Sequence, residues 1–366
     1  MRLEVAAALV DGRLVPGAVE VVDGRISGYG LPGGNGRSIA VPGFVDLQVN
    51  GFAGVDFLET DSEGYRTAGA ALLETGVTSF LPTLITAPED ALVAALAEVP
   101  ESTNSHGPRI LGVHLEGPFL AGRRLGTHPA DGRRDPDLEL LRRLLAAGPV
   151  RMMTLAPELP GALELIDVLE TNGVVVSCGH SDATAEQAEQ AFDRGVRTVT
   201  HLFNAMRPLT HRDPGIVGAA LVRDDVIVQM IVDGIHLAAA TVSLVWKAAA
   251  GRVALVTDAV AAASAAGDSF SLGSVELSVD EDGAVRGPEG ILAGSVLTML
   301  EAVRNLHALG APLELALEAG SAVPARVLGL SEAGRLAVDL PADIVVLDDN
   351  LEIESVFVGG DARVVA

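Results

Sequence analysis

The chain has 366 residues, 49% of them hydrophobic, and its 49 acidic against 25 basic side chains leave a formal charge of -24. That length suffices for one large domain with a smaller companion, and the charge excludes a protein that grips a nucleic-acid backbone, which needs a basic face. No apolar run approaches the ~20 residues of a membrane span, and the start from Met1 to Val5 lacks the basic-then-apolar pattern of a secretory signal, so a cytoplasmic location is expected.

Residues 1–40 alternate apolar and polar side chains around Asp11-Gly12 and Asp23-Gly24, pairs that mark hairpins. The stretch 331–366 alternates in the same way at 334–338, 342–347 and 353–358. We expect these two ends to form one small β-sandwich domain beside a central domain at 41–330.

That central part repeats an apolar run followed by a helical period. Runs at 41–49, 77–84, 109–116, 150–156, 173–180, 196–201, 226–232 and 252–257 predict eight strands. Helices are predicted at 64–74, 88–98, 136–147, 161–171, 184–194 and 237–250, with two more at 295–307 and 312–320. The alternation predicts an α/β fold, a (β/α)8 TIM-like barrel with its site at the carboxyl ends of the strands. A doubly wound sheet is disfavoured, because no Gly-x-Gly-x-x-Gly follows the first strand. Residues 201–226 carry Pro208 and Pro214 in an irregular stretch too long for a connector, so they form a candidate binding loop. The alternating insert 269–279, with Asp282-Gly283 after it, reads as a hairpin capping the barrel mouth.

The most informative stretch is 173–201, an apolar run, a helix and a second apolar run, with a histidine closing each run. A helix of about 11 residues advances ~16 Å and a return strand of about six covers ~20 Å. His180 and His201 therefore finish at one sheet edge on neighbouring strands ~4.8 Å apart, where two imidazoles can share a metal. On the third run Leu111, Val113 and Leu115 face the helices, while Gly112, His114 and Glu116 face inward. Glu116 thus joins the histidines in an open catalytic zinc site, and His114, deeper on the same face, is a supporting or core residue. Reading every strand tip as one ring adds Gln48, Asn50, Thr83, Glu158, Asp233 and Asp258. Asp258 has the parity of Ala254 and Val256, so it emerges at the rim, placed to take a proton from water and return it to a leaving amine; the structural alternative is an N-cap.

The rarest residues narrow the chemistry further. A single cysteine, Cys178, excludes an internal disulfide and reads as a buried thiol. The only lysine, Lys247, sits on an amphipathic helix, which argues against a phosphate loop ending in Gly-Lys, a pyridoxal site or a lysine-bridged metal pair.

Pro42 to Gly51, His114 to Phe119, Gly179 to Thr184, Thr200 to Met206, Val232 to His236 and Val256 to Val260 together resemble the N-acetylglucosamine-6-phosphate deacetylase family of the amidohydrolase superfamily, in order and over nearly the whole chain. The resemblance implies hydrolysis of N-acetyl-D-glucosamine 6-phosphate to glucosamine 6-phosphate and acetate. It implies metal ligation by Glu116, His180 and His201, proton shuttling by Asp258, and Thr127 and His128 beside the acetamide. It implies phosphate capture by Arg212 and His236, and sugar contacts from Asn204, Ala205, Leu292, Ala293 and Gly294. It further implies that Arg212 reaches the neighbouring subunit's site in a homodimer. Some relatives carry His-x-His where this chain reads Gln48-Val49-Asn50. An amide is a poor zinc ligand, so one divalent metal per subunit is expected, with Gln48 in support. Zinc is the expected ion, while iron, manganese and cobalt suit the same donors. Two other readings stand beside this one: a metal-dependent amidohydrolase acting on a cyclic amide or aminated base, and a non-catalytic barrel that serves as a scaffold.

Overall fold

A computed structural model of the chain describes residues 1–33, 36–100, 107–267 and 269–365. Eight parallel strands run in sequence order around a nearly closed barrel: β1 (Phe44–Val49), β2 (Val77–Ile85), β3 (Val113–Glu116), β4 (Val150–Leu155), β5 (Val175–Cys178), β6 (Thr198–Val199), β7 (Ile227–Met230) and β8 (Val253–Leu255). All nine residues of β2 are buried, because a barrel strand faces side chains within and helices without. The helices are α1 (Ser62–Glu74), α2 (Glu89–Glu98), α3 (Leu138–Ala147), α4 (Ala162–Thr171), α5 (Ala185–Phe192), α6 (Gly215–Val222), α7 (Ala239–Ala248), α8 (Met299–Ala308), α9 (Leu313–Ala319) and α10 (Ala322–Val327). Their starts are written locally: Asp61 and Asp137 accept from the first free amides, and Thr184 with Gln187 and Thr298 with Glu301 form capping boxes.

The seam between β8 and β1 lacks regular strand pairing. It closes at the carboxyl end, where Asp258 N donates to Gln48 O at 3.0 Å and Asn50 N to Ala259 O at 2.7 Å, and lower down Val45 N donates to Gly320 O at 3.0 Å. Below the rim the interior is polar rather than aliphatic. His114 Nε2 lies 2.7 Å from Thr154 Oγ1, which is 2.7 Å from Thr200 Oγ1, and Ser177 Oγ joins Thr200 at 2.5 Å. Buried polar groups must be paired, and this chain of hydroxyls does that for His114, which is a core support.

The expected first strand, 41–49, breaks at Gly43. Ile39–Pro42 belongs to a six-stranded sheet with Ala7–Val10, Arg13–Pro16, Ile344–Leu347, Ile353–Val358 and Asp361–Val365, and only Phe44–Val49 enters the barrel. A Cβ on Gly43 would fall 2.0 Å from Thr78 Oγ1, so the crossing between the two layers needs glycine. A three-stranded sheet of Arg2–Leu3, Ala18–Val22 and Arg25–Leu31 packs on the six-stranded one around Ala8, Val19, Ile26, Ala40, Ile344 and Phe357. The sandwich built from both ends of the chain is therefore present.

Two helices went unforeseen. The stretch 201–226 holds α6, and α10 follows α9 after a break at Gly320 and Ser321. The insert at the mouth has three antiparallel strands, Ser269–Leu272, Val275–Val279 and Val285–Arg286. Its Leu272, Val275, Leu277 and Val285 pack on Ile85, Val260 and Ala293.

Candidate active site at the strand ends

Three side chains from three barrel strands meet at one point. Glu116 ends β3, and His180 and His201 follow β5 and β6 by two residues each. His180 Nε2 lies 3.0 Å and His201 Nε2 2.9 Å from Glu116 Oε1, and the two nitrogens are 3.1 Å apart. His180 Nδ1 is 2.8 Å from the carbonyl oxygen of Arg124. A carbonyl only accepts, so Nδ1 carries the hydrogen and Nε2 turns a lone pair inward. Two imidazole nitrogens and a carboxylate oxygen, all within 4.8 Å of one another and buried, are a donor set for a divalent cation. Among the described residues this is the one such cluster.

The backbone is bent to achieve this. His180, His201 and Asp258 have φ of 48°, 28° and 50°, the left-handed region that side-chain-bearing residues seldom adopt. Such strain costs about 1–3 kcal/mol per residue and concentrates at functional sites.

Asp258 is held by a pair of amides. Gln48 Nε2 and Asn50 Nδ2 both donate to its Oδ1, at 2.9 and 2.7 Å. Its Oδ2 has no hydrogen-bond partner among the described residues. Burial, with the negative charge of Glu116 as a further cause, pushes the Asp258 carboxyl up to about 6. Glu116 goes the other way. Burial opposes its ionisation, but the imidazoles of His128, His180 and His201 gathered around it outweigh burial and hold it well below the usual carboxylate range. Burial lowers His128 to about 4, so its imidazole is neutral at physiological pH. Thr86 N donates to His128 Nδ1 at 3.3 Å, which places the ring hydrogen on Nε2.

These groups open into one cavity of about 360 Å³. Of the residues foreseen from sequence, Glu116, Thr127, His128, His180, His201, Asn204, Ala205, His236, Asp258, Leu292 and Gly294 line it together. Gln48 is fully buried behind Asp258, and Ala293 is buried in the cap rather than facing the cavity. A Cβ on Gly294 would fall 2.6 Å from the carbonyl oxygen of Asp258, so glycine permits this close approach. His236 Nδ1 is tied to Asp233 Oδ2 at 2.6 Å, and Asp233 also caps the amides of Ile235 and His236. Arg212 stands apart: it is exposed and does not line the cavity of its own chain.

Three further residues line the cavity without a role that the sequence assigns: Asn50, which belongs to the ring of strand tips, and Arg123 and Arg124. The parity of Asn50 with Gln48 was the available signal for the first. Arg124 acts on His180 through its backbone carbonyl, which leaves no trace in residue type. Cys178 is fully buried and its thiol is pushed up by burial, as a structural cysteine is.

The chain is similar to known proteins over nearly its whole length. The profile of the Amidohydrolase family matches residues 39–363. An N-acetylglucosamine-6-phosphate deacetylase of Bos taurus is 40% identical over 89% of this chain and 83% of its own length. An N-acetylgalactosamine-6-phosphate deacetylase of Escherichia coli O157:H7 is 36% identical over 87% of this chain and 86% of its own. A mutant N-acetyl-D-glucosamine-6-phosphate deacetylase of Mycobacterium smegmatis, solved in complex with N-acetyl-D-glucosamine-6-phosphate, superposes with a TM-score of 0.94 at 35% identity, covering 100% of this chain and 99% of that one. With its ligand cluster at the strand ends and these likenesses over nearly its whole length, the chain belongs to the amidohydrolase family, in the branch of the N-acetylglucosamine-6-phosphate deacetylases.

Proposed function

We propose that the chain hydrolyses N-acetyl-D-glucosamine 6-phosphate to D-glucosamine 6-phosphate and acetate. The observation that carries this reading is the convergence of Glu116, His180 and His201 in the same cavity as Asp258, whose Oδ1 is pinned and whose Oδ2 has no partner among the described residues. Glu116, His180 and His201 would hold one divalent cation, of which zinc suits the donors best. When bound, the cation would polarise a carbonyl and lower the pKa of a water to about 7.

The protein's own part follows from where its protons sit. Asp258, ionised above about pH 6, takes a proton as the water oxygen bonds to the acetyl carbon. It then gives that proton to the amide nitrogen as the C–N bond breaks, so acetate and a free amine leave. His128, neutral with its hydrogen on Nε2, donates to the developing oxyanion. Asn204, Ala205, Leu292 and Gly294 line the walls against which the sugar packs, and His236 meets the phosphate, its ring fixed by Asp233. Arg212 completes the phosphate site of a neighbouring subunit in a homodimer. In support, it is exposed and lies off its own cavity, and its neighbour Asp213 is anchored by Arg207 Nε at 2.7 Å. Arginine suits that role through its bidentate fork. Among the described residues no helix is long and apolar enough to cross a membrane.

The test is acetate release from N-acetylglucosamine 6-phosphate, from its galactosamine epimer and from unphosphorylated N-acetylglucosamine. The proposal expects the first to be the best substrate and the last to be turned over poorly. Equal activity on a cyclic amide would overturn it.

A further inference from the structure

Asp46 lies on β1, fully buried. Among the described residues no cationic side chain is one of its hydrogen-bond partners. Its Oδ1 accepts from Gln48 N at 3.2 Å and Thr257 N at 3.3 Å, and its Oδ2 accepts from Thr257 Oγ1 at 2.6 Å. The partners are the two residues that bracket Asp258. Thr257 precedes it in the chain, and Gln48 donates to its Oδ1 while accepting from its amide. This is also the seam where β8 and β1 meet without regular pairing. A buried carboxyl without a counter-charge is costly, and burial pushes this one up to about 7 despite three donors. The reaction as proposed makes no use of it.

We infer that Asp46 is a positioning residue for the hydrolysis: it ties Thr257 to Gln48 across the open seam and so fixes the direction in which Asp258 presents its free oxygen. The inference rests on the proposed role of Asp258. Without Asp46 the seam keeps its backbone bonds and the two amides on Asp258 Oδ1, but the segment that carries Asp258 at its strained φ of 50° loses its side-chain tie to β1, and a displacement of about 1 Å at a reacting group can cost on the order of 100-fold in rate. Asparagine can keep the tie. Its oxygen accepts from both amides, its Nδ2 donates to Thr257 Oγ1, and the Thr257 hydroxyl turns to Gln48 O, 3.3 Å away.

The test is acetate release by the metal-loaded enzyme, with metal content and thermal midpoint measured on each sample. Asp46→Ala is expected to lower kcat about 100-fold, with KM and metal content unchanged. Thr257→Val, which keeps the two amide bonds, is expected to lose about tenfold in kcat. Asp46→Asn is expected to stay within about threefold of the parent. The double variant of Asp46→Ala with Thr257→Val should be no worse than Asp46→Ala alone, since both cut one tie. If Asp46→Ala does not fold, Thr257→Val and Asp46→Asn carry the test.

Parent-like kcat in Asp46→Ala or Thr257→Val overturns the inference. So does a loss explained wholly by missing metal or raised KM, or an Asp46→Asn as impaired as Asp46→Ala. Asp258→Asn is run alongside. Full activity there sinks the proposed function itself, whereas its inactivity beside parent-like Asp46 and Thr257 variants sinks only the positioning role.

Discussion

Glu116 and Asp258 are carboxylates in one buried cavity, yet their surroundings drive them apart. Three imidazoles hold Glu116 ionised, while Asp258 has two amides on one oxygen and is raised to about 6. A group that must be ionised to accept a proton loses function as pH falls through its pKa, so kcat/KM should fall below about pH 6. A bound cation favours the carboxylate and moves that limb lower, never higher. Asp258→Asn should remove the limb and cut kcat by about 10³-fold, as read from a pH–rate profile. A limb near pH 8 would instead assign the base elsewhere. His128, held near 4, stays neutral throughout and supplies no limb of its own in that range. Strand parity made Glu116 and Asp258 legible in the sequence, because it decides which tips look inward, and the run, helix and run of 173–201 did so for His180 and His201 by returning both run ends to one sheet edge. The amide clamp was not legible, since Asn50 gains its role only when Asp258, 208 residues later, closes the seam beside it.

At the scale of elements, the sequence marked out all eight barrel strands but overran some of them. The run 196–201 yields only Thr198–Val199, because the chain must turn left-handed to aim His201 into the cavity. Helix α6 was hidden for another reason. Residues 215–222 are apolar nearly all round, so no amphipathic period signals a helix, and Pro214 looked like a breaker. Proline is tolerated where a helix begins, because its missing N–H has no partner there to lose, and Pro214 is the residue from which α6 starts. The break at Gly43 was likewise hidden within a continuous apolar run. Gly43→Ala should destabilise the fold by about 1–3 kcal/mol, the usual cost of overpacking, through the 2.0 Å approach to Thr78. A lowered urea midpoint with unchanged kcat per folded molecule is the expected result, and an unchanged midpoint would show that β2 yields more easily than its burial suggests. The loop before α6 has its own test. Arg212→Ala should raise KM for the phosphorylated sugar and leave kcat/KM for the unphosphorylated sugar unchanged. Coexpression with Asp258→Asn should restore parental KM in a fraction of sites if the arginine acts across a dimer. Equal losses on both sugars would place Arg212 outside phosphate recognition.

Over the whole molecule, a formal charge of -24 meets an anionic substrate. Long-range steering then works against encounter, and the local cations must do the capturing. Raising ionic strength screens both the repulsion and the local attraction, so kcat/KM should change little between low and physiological salt. A steep decline with salt would reveal a concentrated basic funnel instead. The fold class was readable at this scale from the alternation of runs and helices. So was the joining of the two ends into one sandwich, because both carry the same two-residue period. The seam of the barrel was not, since neither β1 nor β8 bears any mark of being unpaired along its length. The proposed chemistry needs one cation at Glu116, His180 and His201, and titrating chelator-stripped protein with Zn2+ while following acetate release tests that directly. Activity should rise from near zero and saturate at one equivalent per chain in the parent, and stay absent in His180→Ala. Undiminished activity in the stripped protein, or saturation only at two equivalents, would contradict it.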